Sequence, residues 1–499
     1  MGISAKLKIG VLWGAGARFV SNALGLVCTL VLAHLLVPDD FGVAAIGTTL
    51  LGVLHSFTQF TLGEALIHHE DPHDGHLDTA WTMGVIRSVF LALLLLIATP
   101  FVENFYNDDR LVPVMLIIAT AALFSGFYNP RLAMLNRELK FSQDLVFLAS
   151  QRIAMLVVSV TLAILFRNYV AIVGGILALS VVGVAVSYIL APYRPRFRLK
   201  EARELFGYSG WLTLSEVVSA LSWRLDPLIV GKFAGQTGLG IFSVSSNLAS
   251  LPTNEITGVM KTTLFPGFRE VRHDPERLRR AYTRIQALTS AIVIPCAFGL
   301  AAVADPLIRL VLGEKWLAAI PIIQVLSVVY ALKTLGSTAE PLAMAVGETR
   351  LLFKRNFQLL VVRTPIIIAG LYLQGMNGLL VALVVTTFFG IAFDIMMVKQ
   401  ICGLNLFRQL LENTRTLISA FVMMGLTIAI VMLLPLGNET TANAIKVVVS
   451  ATLGIVVYLA TMLIAWKMAG QPEGPEREIL SIVRSTHPRL SQSFHRPRG

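Results

Sequence analysis

Apolar residues dominate the chain in runs of about 20, broken by short polar links, and the runs lack the apolar–polar alternation of a half-buried strand. A hydrocarbon core about 30 Å thick needs roughly 20 residues per helix, whereas a membrane barrel is written in shorter, alternating segments. About fourteen such runs can be drawn, centred near residues 22, 53, 90, 119, 154, 180, 220, 250, 294, 330, 363, 388, 424 and 456. Within hydrocarbon the backbone must satisfy its own hydrogen bonds, so the runs predict helices. The expected class is an all-α integral membrane protein with about 14 transmembrane helices.

Polar positions inside the runs recur at helical spacing. Gly14, Arg18, Ser21, Asn22 and Gly25 share one face of the first helix, and Ser215, Ser219, Ser222 and Asp226 share one face of the seventh. In the eighth, Ser243, Asn247, Ser250, Asn254, Thr257 and Lys261 fall at steps of three and four. Small and hydroxylated residues commonly hold membrane helices together, so such stripes mark either helix contacts or a polar path.

Composition agrees with the pattern: of 499 residues, 55% are hydrophobic and only 14% charged, and the mean hydropathy of +0.72 lies far from that of a water-soluble domain. The net charge of +11 raises the question of nucleic acid, which the placement of the charge answers. With the N-terminus cytoplasmic, 28 of the 41 Lys and Arg residues fall on inside segments, 6 on outside links and 7 within spans. That bias follows the positive-inside rule with both termini cytoplasmic, and it also favours anionic membrane lipid. The basic stretches "RPRFRLKEAR" and "RHDPERLRR" have no aromatic platform beyond Phe197, so nucleic acid is not an expected partner. "MGISAKLKIG" has a basic start but no small-residue cleavage site, so the first helix is expected to stay. Cys28, Cys296 and Cys402 are scattered, which predicts neither a disulfide framework nor a metal site.

Sliding the sequence by 198 positions lays "LLVPDDFGVAAIGTT" (35–49) near "KFAGQTGLGIFSVSS" (232–246), with Gly42 on Gly240. The expected organisation is two pseudo-symmetric six-helix lobes, 1–200 and 201–402, an additional helix pair over 403–469, and a basic cytoplasmic tail over 470–499. Parallel repeats of this kind are a transporter architecture.

A charge at the centre of a bilayer costs about 2.5–3.5 kcal/mol on insertion scales, so it faces a bundle interior, a wet cavity or a partner. Counted from the cytoplasmic ends of their helices, Arg18, Arg87, Arg152 and Arg363 sit about ten residues in, roughly 15 Å deep. Arg224 and Asp226 are about 200° apart around a helix and cannot pair with each other. The acids Glu64, Glu216, Glu255, Glu340 and Asp394 offer structural ion pairs, yet the arginines outnumber the acids that can be placed at that depth. An excess of guanidinium suits phosphate or carboxylate.

Two other signals carry little. "HHEDPH" contains the H-E-x-x-H pattern as His69, Glu70 and His73, but Pro72 and the turn-forming Asp71 and Asp74 oppose the helix that zinc chemistry needs. Asn438 begins an N-E-T triplet in a short link, a signal of low specificity. No nucleotide-binding motif is present and no cofactor is expected.

The stretches "LSWRLDPLIVGKFAGQTGLGIFSVSSNLASLP", "LFPGFREVRHDPERLRRAY" and "PLIRLVLGEKWLAAIPIIQVL" resemble the polysaccharide transporters of the multidrug/oligosaccharidyl-lipid/polysaccharide exporter superfamily. "LLVPDDFGVAAI" and "LGEALIHHEDPHDGHLDTAW" are similar to the matching first-half segments, except that His68 and His69 stand where the family more often has Gln and a basic residue. The resemblance covers about residues 5–465. It implies a bacterial inner-membrane flippase working by alternating access on an undecaprenyl-diphosphate-linked oligosaccharide, with membrane lipid, a polysaccharide polymerase and export machinery as partners. By that analogy Arg18, Arg87, Arg152 and Arg363 bind the anionic head, and Asn22, Arg224, Asn254 and Lys261 line the path. Glu216, Asp226 and Glu255 either pair with these cations or couple to an ion. Two rivals stay open: a cation-coupled small-molecule exporter of the same superfamily, and a membrane enzyme of polysaccharide assembly, against which the short outside links argue.

Overall fold

A computed structural model describes residues 3–58, 73–137, 141–202, 210–433, 437, 439–471, 474, 476 and 477. Glu64, His68, His69, Glu70 and Asn438 lie outside the described residues, as does the tail from 478 onward.

The chain forms helices α1 (Ile3–Leu35), α2 (Pro38–Phe57), α3 (Asp74–Tyr106), α4 (Leu111–Ser125), α5 (Arg131–Arg137), α6 (Phe141–Phe166) and α7 (Val170–Leu190). There follow α8 (Gly210–Val271), α9 (Pro275–Ala302), α10 (Ala304–Val311), α11 (Ala319–Lys333), α12 (Ala339–Val346), α13 (Thr349–Cys402), α14 (Leu406–Leu433) and α15 (Thr440–Met468). The starts obey local rules. Pro38 opens α2, whose Asp40 carboxylate accepts the Val37 N–H at 3.3 Å; at α9, the Asp274 carboxylate accepts the Glu276 and Arg277 N–H groups, both at 3.1 Å, and Pro275 follows it.

Two of these helices are hairpins. In α8 the backbone breaks at Gly235 (φ 72°), and in α13 at Gln374 and Gly375, the latter with φ 58°. A Cβ at Gly231 would touch the Leu239 side chain, and one at Gly378 would strike the Gly370 carbonyl. Residues eight apart lie about 12 Å from each other along a straight helix, so each chain turns back at its break.

Among the described residues, ten helices are long and apolar enough to cross a membrane, and one of them is the α13 hairpin, which crosses twice. The shorter apolar α4 and the two polar-striped limbs of α8 bring the crossings to the fourteen expected from hydropathy. Two details differ from the even runs of the sequence. The fourth crossing is only 15 residues long, and the tenth is interrupted by a 3-10 turn at Thr334–Gly336 between α11 and α12.

Packing divides the chain into two units. The first comprises 1–244, 311–319 and 356–382, and the second 245–310, 320–355 and 383–499. In the first, Cys28 and Leu32 of α1 and Leu36 just after it pack with Ala163 and Ala171, and Trp316 is fully buried with its indole N–H donating to the Ala33 carbonyl at 3.0 Å. In the second, Ile294, Phe298, Ile391, Ile395, Ala420 and Met423 form a core closed by Tyr458, whose hydroxyl donates to the Ala291 carbonyl at 2.8 Å. Many large apolar residues lie on the outside, among them Phe101, Leu165, Ile189 and Met432, as contact with hydrocarbon permits.

Candidate functional site

The first unit gathers charge from three helices. On α3, Arg87 lies 13 residues from the helix start, roughly 20 Å along the axis. Its Nη2 is 2.6 Å from Nε2 of His55, one residue short of the last two of α2. An arginine can only donate, so His55 accepts with an unprotonated nitrogen. Arg224, on the first limb of α8, lies against Gly52: a Cβ there would run into its guanidinium. Gly52 is one turn from His55, close enough for the Arg224 charge to act on the ring. Among the described residues no carboxylate pairs with Arg87 or Arg224. His55 and Arg87, both half-buried, and Arg224, exposed, therefore form a cluster that carries two guanidinium charges.

Asp226 turns elsewhere. It accepts an ion-pair hydrogen bond from Arg363 on the first limb of α13, with both side chains over nine-tenths buried. The Arg363 guanidinium also lies 4.2 Å from the centroid of Trp223, which adds a cation–π contact. One end of the same helix pair is fixed by Asn356, whose amide donates to the Ser215 hydroxyl at 2.9 Å. Arg224 and Asp226 thus have separate surroundings, one cationic and one neutralised.

The other expected residues are spread out. Arg152 of α6 donates to the Ser21 hydroxyl at 3.2 Å and lies over Gly25, so it is held against the polar face of α1. Arg18 and Asn22 are exposed on that helix, and Glu216 is exposed on α8. Asn254, exposed, and Glu255, half-buried, belong to the second unit, and the Lys261 side chain lies outside the described residues. In the second unit the buried Asp394 accepts from Arg355 at 2.8 Å, a structural pair of the kind the sequence left open.

At the other end of the first unit, α2 meets the start of the second limb of α8. A Cβ at Gly42 would strike the Gln236 carbonyl, and one at Gly240 the Pro38 carbonyl. The Thr237 hydroxyl donates to Asp39 at 3.1 Å. Asp39 and Thr237, like Gly42 and Gly240, are 198 positions apart, the offset at which the two segments overlie in sequence. Arg110 ties this corner together, bridging Asp39 at 2.5 Å and Asp108 at 2.8 Å. Burial pushes the Asp108 carboxyl up, but its bonds to Arg110 outweigh that and hold it below the usual carboxylate range.

His55 and Gly52 were not among the sequence candidates. The available signal was a histidine in an apolar run one turn after a glycine, which is too common to single out.

A bundle of many membrane-crossing helices with a polar cluster between them has the architecture of a polytopic membrane transporter. The sequence matches the profile of a family described as polysaccharide biosynthesis protein over residues 31–321, and the protein belongs to that family. It is 24% identical over 382 residues to the lipopolysaccharide biosynthesis protein WzxC of Escherichia coli K12, covering 76% of this chain and 78% of WzxC. It is likewise 24% identical over 345 residues to the succinoglycan biosynthesis transport protein ExoT of Rhizobium meliloti, covering 68% of this chain and 69% of ExoT. Its fold is similar to that of the lipid II flippase MurJ, with a TM-score of 0.73 at 16% identity over 92% of this chain and 99% of that one.

Proposed function

We propose that the protein moves an undecaprenyl-diphosphate-linked oligosaccharide from the cytoplasmic to the outer leaflet of the bacterial inner membrane by alternating access. The observation that carries this reading is the cluster of Arg87 and Arg224 about His55, with no carboxylate opposite among the described residues. Arg224 is exposed and Arg87 half-buried, so both charges are open to a ligand, and a diphosphate offers guanidinium forks several acceptor oxygens. Arg152 and Arg18, along the polar face of α1, extend the cationic lining, with Asn22 beside them. Arg363 is already neutralised by Asp226, so it shapes the site by holding α13 to α8. The names of WzxC and ExoT and the MurJ-like fold support cargo of this class.

Deleting the gene and locating the lipid-linked oligosaccharide tests the reading. Complete units trapped on the cytoplasmic face, with surface polysaccharide lost, are expected; complete units on the outer face would mean that the protein acts after translocation. Arg87→Gln and Arg224→Gln each remove a charge-assisted contact of about 1.5–3 kcal/mol, so each lowers export at least tenfold at unchanged protein level. Normal export by both variants would end the anionic-site argument.

A further inference from the structure

The segment after α7, residues 191–200, has no regular structure and is nevertheless fixed throughout. At its start the Asn129 amide donates to the carbonyls of Ser187 (3.2 Å) and Ala191 (2.5 Å), and Arg131 donates to that of Pro192 (3.3 Å). Further along, the Tyr193 hydroxyl and the Arg196 N–H both donate to Asp78, at 2.5 and 3.2 Å, and the Arg198 N–H donates to the Thr82 hydroxyl at 3.0 Å. The Thr79 hydroxyl closes the far end on Glu201 at 2.8 Å. Asp78, Thr79 and Thr82 are buried in the first turns of α3. Pro192 and Pro195 restrict the backbone in between.

This pinning uses mainly the backbone of the segment and leaves its side chains outward. Arg194, Arg196, Arg198 and Lys200 are all exposed, and among the described residues only Arg198 meets a carboxylate, Glu201 at 3.3 Å. Between them stand Phe197, 77% exposed yet set edge-on to Trp81 at 5.1 Å, and Leu199, 50% exposed. The segment joins the last residue of one candidate span, Val170–Leu190, to the first turns of another, Asp74–Tyr106. It therefore runs where the apolar parts of two helices end, at the depth of lipid headgroups.

We infer that residues 194–200 form a binding site for anionic phospholipid headgroups in the leaflet on that side. Three guanidinium or ammonium groups without a carboxylate partner suit phosphodiesters, while Phe197 and Leu199 reach toward the acyl boundary, which a soluble anion would not need. Because the backbone is already held, binding costs little ordering. The site is separate from the His55–Arg87–Arg224 cluster and does not depend on the cargo.

The test uses the purified full-length protein in mixed micelles containing phosphatidylglycerol or phosphatidylcholine, with bound lipid counted by native mass spectrometry and thermal unfolding followed in parallel. Preferential retention of phosphatidylglycerol, with a higher melting temperature, is expected. Each basic residue near an anionic surface strengthens binding about fivefold. The triple variant Arg194→Gln, Arg196→Gln, Lys200→Gln is therefore expected to weaken retention about a hundredfold, with unchanged melting in phosphatidylcholine. Should the triple variant fail to fold, Arg194→Gln and Lys200→Gln are measured singly, each expected at about fivefold. Undiminished retention in these variants overturns the inference, as does equal retention of the two lipids or full displacement of the lipid by inorganic pyrophosphate.

Discussion

Removing Asp226 separates a structural from a cargo-binding role for Arg363. The pair is buried on both sides, with 4% of the Arg363 side chain and 8% of the Asp226 side chain exposed. Asp226→Leu leaves a guanidinium uncompensated in a dry interior, which costs about 3–5 kcal/mol when one partner of a buried pair is lost. The Trp223 ring offsets part of this, since a desolvated cation–π contact is worth roughly 2 kcal/mol or more. Replacing both partners by apolar residues of similar volume, Asp226→Leu with Arg363→Met, removes the desolvation penalty together with the attraction and is expected to be nearly neutral. The double-mutant cycle, read by unfolding of the detergent-purified protein, is expected to give a coupling energy of at least about 2 kcal/mol, within the range for residues in contact. Export by the double variant should remain within a few fold of the parent. A coupling near zero, with export lost in Arg363→Met at full stability, would refute the reasoning and return Arg363 to the cargo.

Other outcomes follow from single contacts. Gly52→Val places a branched side chain where the Arg224 guanidinium lies, so export should fall at least tenfold while protein level in the membrane is kept, a split that parallel transport and immunoblot measurements resolve. Gly42→Ala and Gly240→Ala each drive a methyl group into a backbone carbonyl with no rotamer to escape to, and should each destabilise by about 1–3 kcal/mol in thermal or denaturant unfolding. The carboxyl of Asp108 is held low by Arg110, so its stabilising contribution is present above the unfolded-state value of about 3.9 and is lost as pH falls through the lower folded-state value. A melting-temperature profile should therefore drop more steeply below about pH 4 in the parent protein than in Asp108→Asn.

The crossings were legible in the sequence because hydropathy summed over 20 residues is a strong signal, and the breaks of α8 and α13 fall between the runs centred near 220 and 250 and near 363 and 388. The 3-10 turn at Thr334–Gly336 was not, because its residues are too few and too mildly polar to interrupt the average. For the site, counting along each helix brought Arg87, Arg152 and Arg363 to similar distances from their helix starts, but depth says nothing of rotation. Which arginine meets Asp226 and which meets His55 depends on how neighbouring helices are turned, information that spacing within one helix does not contain. The argument that Arg224 and Asp226 cannot pair with each other needed only the helical period, and Asp226 finds its partner on α13.

The meeting of Gly42 and Gly240 has a consequence for how the chain can change. The two close approaches are reciprocal: Gly42 faces the Gln236 carbonyl and Gly240 the Pro38 carbonyl, so each glycine is answered by main chain of the other segment. In such a contact a larger residue on one side cannot be relieved by enlarging the other, because the obstruction is main chain on both sides. Compensation would have to come from moving whole helices apart, so the crossing admits little sequence drift and its spacing is set by backbone dimensions alone.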